Sequence, residues 1–326
     1  MRAIIVNKPG GVEQLKISEQ PTPEIEPGQV LIKVKAAAIN RTDIISRKGQ
    51  SGYRSNPILG IEVSGIIEKS GPETALKTGE RVMGLVNGGA YAEYAVMPAN
   101  RVMKIPDHLS FEEAAAIPEV FLTAYQTLFW LGNLKKNESV LIHAGGSGVG
   151  TAAIQLAKQL RDAHVITTAG STEKLDVCLS LGADVGINYK ERAFEEEIAN
   201  ITNSRGVDVI LDFIGASYYK KNLSSIALDG RWILIGLLGG AKLEQVNLME
   251  LMAKRIHLKG TLLTPRTDEY KAELTSDFTK NALPLFNQNK LKPIVDRVFP
   301  LEDVQQAHLL MESNKNIGKI ILKVDK

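Results

Sequence analysis

The chain has 326 residues, 44% of them hydrophobic and 23% charged, with 39 Lys and Arg against 37 Asp and Glu. That length and apolar content suit about two domains with buried cores, while the near-balanced, scattered charge gives no footprint for nucleic acid. No apolar run approaches the ~18 residues of a membrane span, residues 1–10 are too short and broken for a signal peptide, and a single cysteine, Cys178, excludes an internal disulfide and fits a reducing, cytoplasmic setting.

As far as Ile105 the chain reads as short strands punctuated by Gly and Pro. Strands are expected at residues 3–6, 15–18, 29–40, 60–68, 80–86, 91–97 and 102–105, a spacing that predicts a β-rich, barrel-like first domain. The pattern changes at Ser110, which with Glu113 forms a capping box ahead of three alanines. Pro118 interrupts, and a second helix is predicted over 120–131. Strands and helices then alternate: strand 140–142, helix 151–157, strand 164–168, helix 172–181 closed by Gly182, strand 185–189, helix 194–202, strand 207–213, helix 218–227 and strand 232–237. Segments 248–254 and 256–263 close the series. This alternation predicts an α/β fold with a doubly wound parallel sheet of about six strands. The tail is mixed, with helix over 270–287, strand 295–299, helix 303–314 and a last strand at 317–324. A β-rich head and a β-ending tail are expected to form one domain, giving boundaries at 1–122, 123–264 and 265–326.

The central strand runs into Gly145-Gly146-Ser147-Gly148-Val149-Gly150-Thr151, and a helix follows. Such a strand–turn–helix unit aims free backbone N–H groups and the positive helix end at one point, which suits a phosphate. The dinucleotide pattern G-x-G-x-x-G is met as Gly145-x-Ser147-x-x-Gly150, with Ser147 in place of the second glycine and Gly148 added. Binding of NAD calls for a carboxylate about 20 residues beyond the motif. Here the strand end offers Ala169, Gly170 and Ser171, with Lys174 one turn on. Room, a hydroxyl and an ammonium suit a 2′-phosphate and therefore NADPH. Tyr189 ends the next strand and is placed to stack on the adenosine or donate its hydroxyl.

In this order the stretches are specific. Residues 8–11 (KPGG), 38–43 (AINRTD), 59–65 (LGIEVSG), 114–119 (AAAIPE), 142–156, 169–171 (AGS), 227–232 (ALDGRW) and 314–320 (NKNIGKI) together resemble the zinc-free quinone oxidoreductases of the medium-chain dehydrogenase/reductase superfamily. The similarity is to the zeta-crystallin-like branch and, within it, the tumour-suppressor-inducible subgroup. The resemblance implies a GroES-like catalytic domain with a Rossmann domain, NADPH as cofactor, and reduction of quinones or similar electron-poor enones. It implies a homodimer joined through the Rossmann edge strand near 256–263, where an open apolar edge would invite pairing in any case. At the reacting end it implies Asn40 on the nicotinamide ribose or the acceptor carbonyl, Tyr53 over the nicotinamide and Thr123 on the carboxamide. Further cofactor contacts are implied for Gly236, Leu237, Leu262, Leu263 and Asn316. Tyr53 departs from the subgroup pattern, in which tyrosine directly follows Gly-Gln; here Ser51 and Gly52 intervene.

Zinc-dependent members of the superfamily bind metal through Cys and His. Here the first ligand position falls at Asn40-Arg41-Thr42 and the later His-Glu pair appears as Ile61-Glu62, so no metal is expected. Glu62 is then expected in an ion pair within the head domain. Two alternatives stay open at this stage: an NADPH-dependent enoyl or enone reductase, and a non-catalytic NADPH-binding sensor.

Overall fold

A computed structural model describes residues 1–50 and 57–324; Tyr53 lies outside the described residues. The chain divides into two units, residues 1–122 with 263–326, and residues 123–262.

The first unit opens with β1 (Arg2–Val6) and β2 (Leu15–Glu19), an antiparallel pair. β3 (Gln29–Ile39), helix α1 (Arg41–Arg47), β4 (Glu62–Ser70), β5 (Arg81–Leu85), β6 (Tyr94–Pro98), β7 (Met103–Lys104) and helix α2 (Phe111–Ala115) follow. The β3 sequence VLIKVKAAAI is buried almost throughout, as a central strand covered on both faces must be. The expected capping box holds: Glu113 N donates to Ser110 Oγ at 3.1 Å, and Ser110 N to Glu113 Oε2 at 2.8 Å. Helix α1 had no counterpart in the sequence reading. It is a short, charged helix of about two turns, too brief to show an apolar period, and its start is capped by Asn40 N donating to Asp43 Oδ2 at 2.8 Å.

Helix α3 (Pro118–Tyr125) leads into the second unit and widens into a π-helical turn over Gln126–Leu131. The helix expected over 120–131 is thus irregular in its second half. Thr127 Oγ1 donates to the carbonyls of Thr123 and Ala124, at 2.8 and 3.0 Å, and Gly132 N reaches five residues back to Thr127 O. The rest of this unit is β8 (Ser139–Ile142), α4 (Gly148–Arg161), β9 (His164–Ala169), α5 (Thr172–Ser180), β10 (Val185–Asn188), α6 (Phe194–Ile201), β11 (Val207–Asp212), α7 (Tyr219–Ser225), β12 (Ile226–Leu234), α8 (Leu248–Lys254) and β13 (His257–Gly260). The sheet has six strands in the order β10-β9-β8-β11-β12-β13, all parallel. This is the doubly wound α/β sheet that the alternating pattern predicts. One strand is misplaced by the sequence reading, which sets it at 232–237. The strand starts at Ile226 and ends at Leu234, because Ile235 N and Gly236 N both turn back to Asp212 O.

The chain then returns to the first unit as α9 (Asp268–Asn281), α10 (Pro284–Asn287), β14 (Val295–Pro300), α11 (Val304–Glu312) and β15 (Lys319–Lys323). β15 pairs with β3, completing a seven-stranded sheet in the order β14-β15-β3-β4-β5-β7, with β6 also on β3. The head and tail therefore share one core, in which Ile39, Val63, Ile67, Ile320 and Leu322 are fully buried. Among the described residues no helix is long and apolar enough to cross a membrane.

Candidate functional site

In the second unit the glycine turn is fixed by steric demand. Ala144, next after His143, takes a left-handed φ of +51°. A Cβ on Gly150 would lie 2.4 Å from Ala144 O and 2.7 Å from Gly145 O, and one on Gly145 would lie 2.1 Å from Thr167 Oγ1. Both partners of Gly150 are backbone atoms that cannot move aside, so only glycine fits there. Ser147 caps α4: Gly150 N donates to its Oγ at 3.1 Å. Its hydroxyl thus satisfies one of the first-turn amides, and Gly148 and Val149 begin the positive end of the helix. Thr151 is buried, and its hydroxyl donates to Gly148 O at 2.9 Å.

The structure brings the residues picked out at the end of β9 close together. Ser171 caps α5, with Lys174 N donating to its Oγ at 3.4 Å. The stem of Lys174 lies along the glycine turn, its Cβ, Cγ and Cδ within 3.0–3.2 Å of where a Gly146 Cβ would be. The place a Gly170 Cβ would take is 2.6 Å from Tyr189 Oη and 3.2 Å from Lys190 Cε. Tyr189 and Lys190 therefore pack directly over Gly170, next to Ser171, where a side chain would clash. Lys190 was missed in the sequence, although its position directly after Tyr189 carries the signal.

A buried polar chain braces the C-terminal ends of the sheet under this turn. His143 contacts Thr168 Oγ1 at 2.9 Å and Asn222 Oδ1 at 2.7 Å. Asn222 Nδ2 and Trp232 Nε1 each donate to Asp212 Oδ2 at 3.0 Å, and Ile214 N and Gly215 N donate to Oδ1. Burial pushes the His143 imidazole below its usual pKa, which keeps it neutral. With Asn222 Oδ1 accepting, the ring carries its proton on Nε2, so each member of the chain has one role. Beyond this brace, Gly236 adjoins Phe213, Leu237 and Leu262 are about half exposed, and Thr123 is buried on α3.

In the first unit, Asn40 sits at the head of a second buried network. Its Nδ2 donates to Glu62 Oε1 at 2.7 Å, and its Oδ1 accepts from Lys319 Nζ at 2.6 Å. Lys319 Nζ also donates to Glu62 Oε1 at 2.8 Å and to Ile39 O at 2.9 Å, while Glu119 N donates to Glu62 Oε2. The ion pair expected for Glu62 is thus present, and it engages the Asn40 amide that the resemblance directs to ribose or acceptor. Asp43 Oδ2 accepts from Asn40 N and, at 2.8 Å, from Tyr91 Oη. Asn316 is buried with Nδ2 on Gly318 O, and Leu263 is buried. A cavity of about 230 Å³ opens in this unit, lined among others by Asp43, Ser46, Glu119, Leu263 and Lys271. Asp43 and Lys271 were not singled out in the sequence. The Asn40-x-x-Asp43 box was a signal for the first, but nothing local marks Lys271 on its charged helix.

Among the described residues no three His, Cys, Asp or Glu are grouped to hold a metal ion. Asn40 and Glu62 instead enclose the Lys319 ammonium.

A model of the alcohol dehydrogenase GroES-like domain matches residues 26–107, and one described as zinc-binding dehydrogenase matches residues 148–279. The quinone oxidoreductase of Lama guanicoe is 35% identical over 334 residues, covering 99% of this chain and 97% of that protein. The synaptic vesicle membrane protein VAT-1 homolog-like of Mus musculus is 33% identical over 345 residues, covering 100% of this chain and 82% of its own length. Among solved structures, Escherichia coli quinone oxidoreductase complexed with NADPH is 30% identical with a TM-score of 0.90, over 99% of this chain and 100% of that one.

Proposed function

Because the chain belongs to the quinone oxidoreductase branch of the medium-chain dehydrogenase/reductase superfamily, we propose that it is an NADPH-dependent, metal-independent reductase of quinones and similar electron-poor carbonyl acceptors. The observation that carries the cofactor choice is the cluster of hydroxyls and ammonium groups around Gly170, just past the end of β9. Tyr189 and Lys190 lie over Gly170, Ser171 follows it, Lys174 lies along the glycine turn, and β9 ends without a carboxylate. A 2′-phosphate needs donors and positive charge, which the hydroxyls of Ser171 and Tyr189 and the ammonium groups of Lys174 and Lys190 would supply. Ser147, Gly148, Val149, Gly150 and Thr151 are assigned to the pyrophosphate. Thr123, Gly236, Leu237, Leu262, Leu263 and Asn316 are assigned to the nicotinamide half. When bound, NADPH supplies a hydride. The protein's part is to orient the acceptor and exclude water, which is most of what a quinone requires because its reduced anion is delocalised. Asn40, tied to Glu62 and Lys319, holds α1 and Asp43 in place at the cavity.

Lys174→Ala is expected to raise KM for NADPH about 10- to 100-fold and leave KM for NADH nearly unchanged, the loss of one charge-assisted contact. Equal effects on both would remove the 2′-phosphate assignment. In the same steady-state assay a chelator should leave activity intact, and absence of any turnover of 1,2-naphthoquinone by the wild type would overturn the reading as a whole.

The reading includes a homodimer through the edge of the six-stranded sheet. All four residues of β13 are exposed, Leu258 among them, and α8, which precedes it, carries the exposed apolar side chains Leu248, Met249 and Met252. Leu258→Lys should shift the sedimentation of the protein from dimer to monomer; a wild type that sediments as a monomer sinks the assignment.

A further inference from the structure

Resting on that reading, we propose that Lys271 contacts the acceptor oxygen in the cavity of the first unit and gives it a proton, extending the acceptors from quinones to α,β-unsaturated carbonyls.

Lys271 lies in the first turn of α9 with only 7% of its surface exposed, and it lines the 230 Å³ cavity. Its Nζ donates to Asn87 Oδ1 at 3.5 Å, a long bond to a neutral acceptor that also receives Arg101 NH1 at 2.8 Å. The groups facing it are Arg101, which disfavours its charge, and Asp268 and Glu119, which favour it. Burial is the largest influence and brings the ammonium below the ordinary lysine range, making it a readier acid. The cavity is smaller than the ~300–1,000 Å³ of drug-sized sites, which limits the acceptor to about one or two rings or a short enone.

The two acceptor types differ in their need for an acid. Hydride addition to a quinone leaves a weakly basic aryl oxyanion that water can protonate. Addition at the β-carbon of an enone moves the C=C electrons onto the carbonyl oxygen and leaves a basic enolate. In the proposed step an N–H bond of Lys271 breaks, its proton goes to that oxygen, and the resulting enol tautomerises in water. The neutral amine then takes a proton from solvent. One hydride and one proton have been added to the acceptor, with NADPH oxidised to NADP⁺. Enzymic general acids contribute about 10²–10⁴-fold, and the contribution grows with the basicity of the oxygen.

The test pairs Lys271→Met with Lys271→Arg. Both are assayed on a series from electron-poor quinones to simple enones, with the wild type measured first. Lys271→Met should lower kcat for enones at least 100-fold and for electron-poor quinones less than about 5-fold. Lys271→Arg should retain acceptor affinity without restoring enone turnover. A cofactor-free readout is titration with 2,4-dinitrophenolate, an aryl oxyanion, which Lys271→Met should bind about 10- to 100-fold more weakly than wild type. Uniform loss across the series, or unchanged dinitrophenolate affinity, overturns the role of Lys271 while leaving the quinone reading intact. A wild type that turns over no acceptor removes the parent reading, and this inference with it.

Discussion

Lys319→Met is expected to destabilise the first unit by about 3–5 kcal/mol, the usual result of removing one partner of a buried ion pair. Glu62 is fully buried and Lys319 is 3% exposed. The lysine provides three hydrogen bonds, to Ile39 O, Asn40 Oδ1 and Glu62 Oε1. Methionine fills a similar volume but leaves the Glu62 carboxylate with only the Asn40 amide and the Glu119 N–H for compensation. Urea denaturation should show the loss as a lower midpoint. The double variant Lys319→Met/Glu62→Gln should recover much of it, because the uncompensated charge and not the missing side chain is the main cost. Simple additivity of the two single changes would mean that the pair is not energetically coupled. The same variant bears on function through Asn40, since the amide loses the donor that fixes its Oδ1.

The contrast between the two units explains what was legible in the sequence. The Rossmann sheet was readable because most of its strands are short apolar runs alternating with helical segments, with stop signals such as Gly182 after α5. The proposed nucleotide site was readable for the same reason. Gly170, Ser171 and Lys174 stand within one turn of each other, and Tyr189 lies at the end of the neighbouring strand. The network in the first unit was not readable in this way. Lys319 reaches Asn40 and Glu62 from 279 and 257 residues away, and Tyr91 joins Asp43 to His308 across 48 and 217. No local period marks such residues; only the fold, pairing β15 with β3, brings them together. The misplacement at 232–237 has a more local cause. The strand's end is fixed by the carbonyl of Asp212 on another strand, and the sequence after Leu234 is as apolar as that before it.

The polar chain at the cavity also sets the response to acid. Asp43→Asn is expected to make the protein lose about 3 kcal/mol of stability relative to wild type between about pH 6 and pH 4. Burial raises the Asp43 carboxyl from 3.8 to about 6, against the opposing hydrogen bonds from Asn40 N and Tyr91 Oη. Over that interval the folded protein binds a proton that the unfolded chain does not, so the wild type gains stability as pH falls. His308 works in the opposite sense. Burial, with Arg47 beside it, lowers its pKa from 6.5 to about 3, so below about pH 6.5 the unfolded chain binds a proton that the folded one refuses. Tyr91 Oη stands between the two, 2.8 Å from Asp43 Oδ2 and 3.4 Å from His308 Nε2. From about pH 6 to 4 each contributes about 1.4 kcal/mol per pH unit with opposite sign, and their effects cancel. Asparagine keeps the shape and an acceptor for Tyr91 but cannot titrate, which leaves the His308 slope unopposed. At pH 7.5 the variant should match or exceed the wild type, because it no longer holds an ionised carboxylate in a buried position. Urea denaturation at pH 7.5, 6, 5 and 4 on both proteins measures the difference directly. A constant stability gap across that range would show that Asp43 titrates in the folded protein as an ordinary aspartate does.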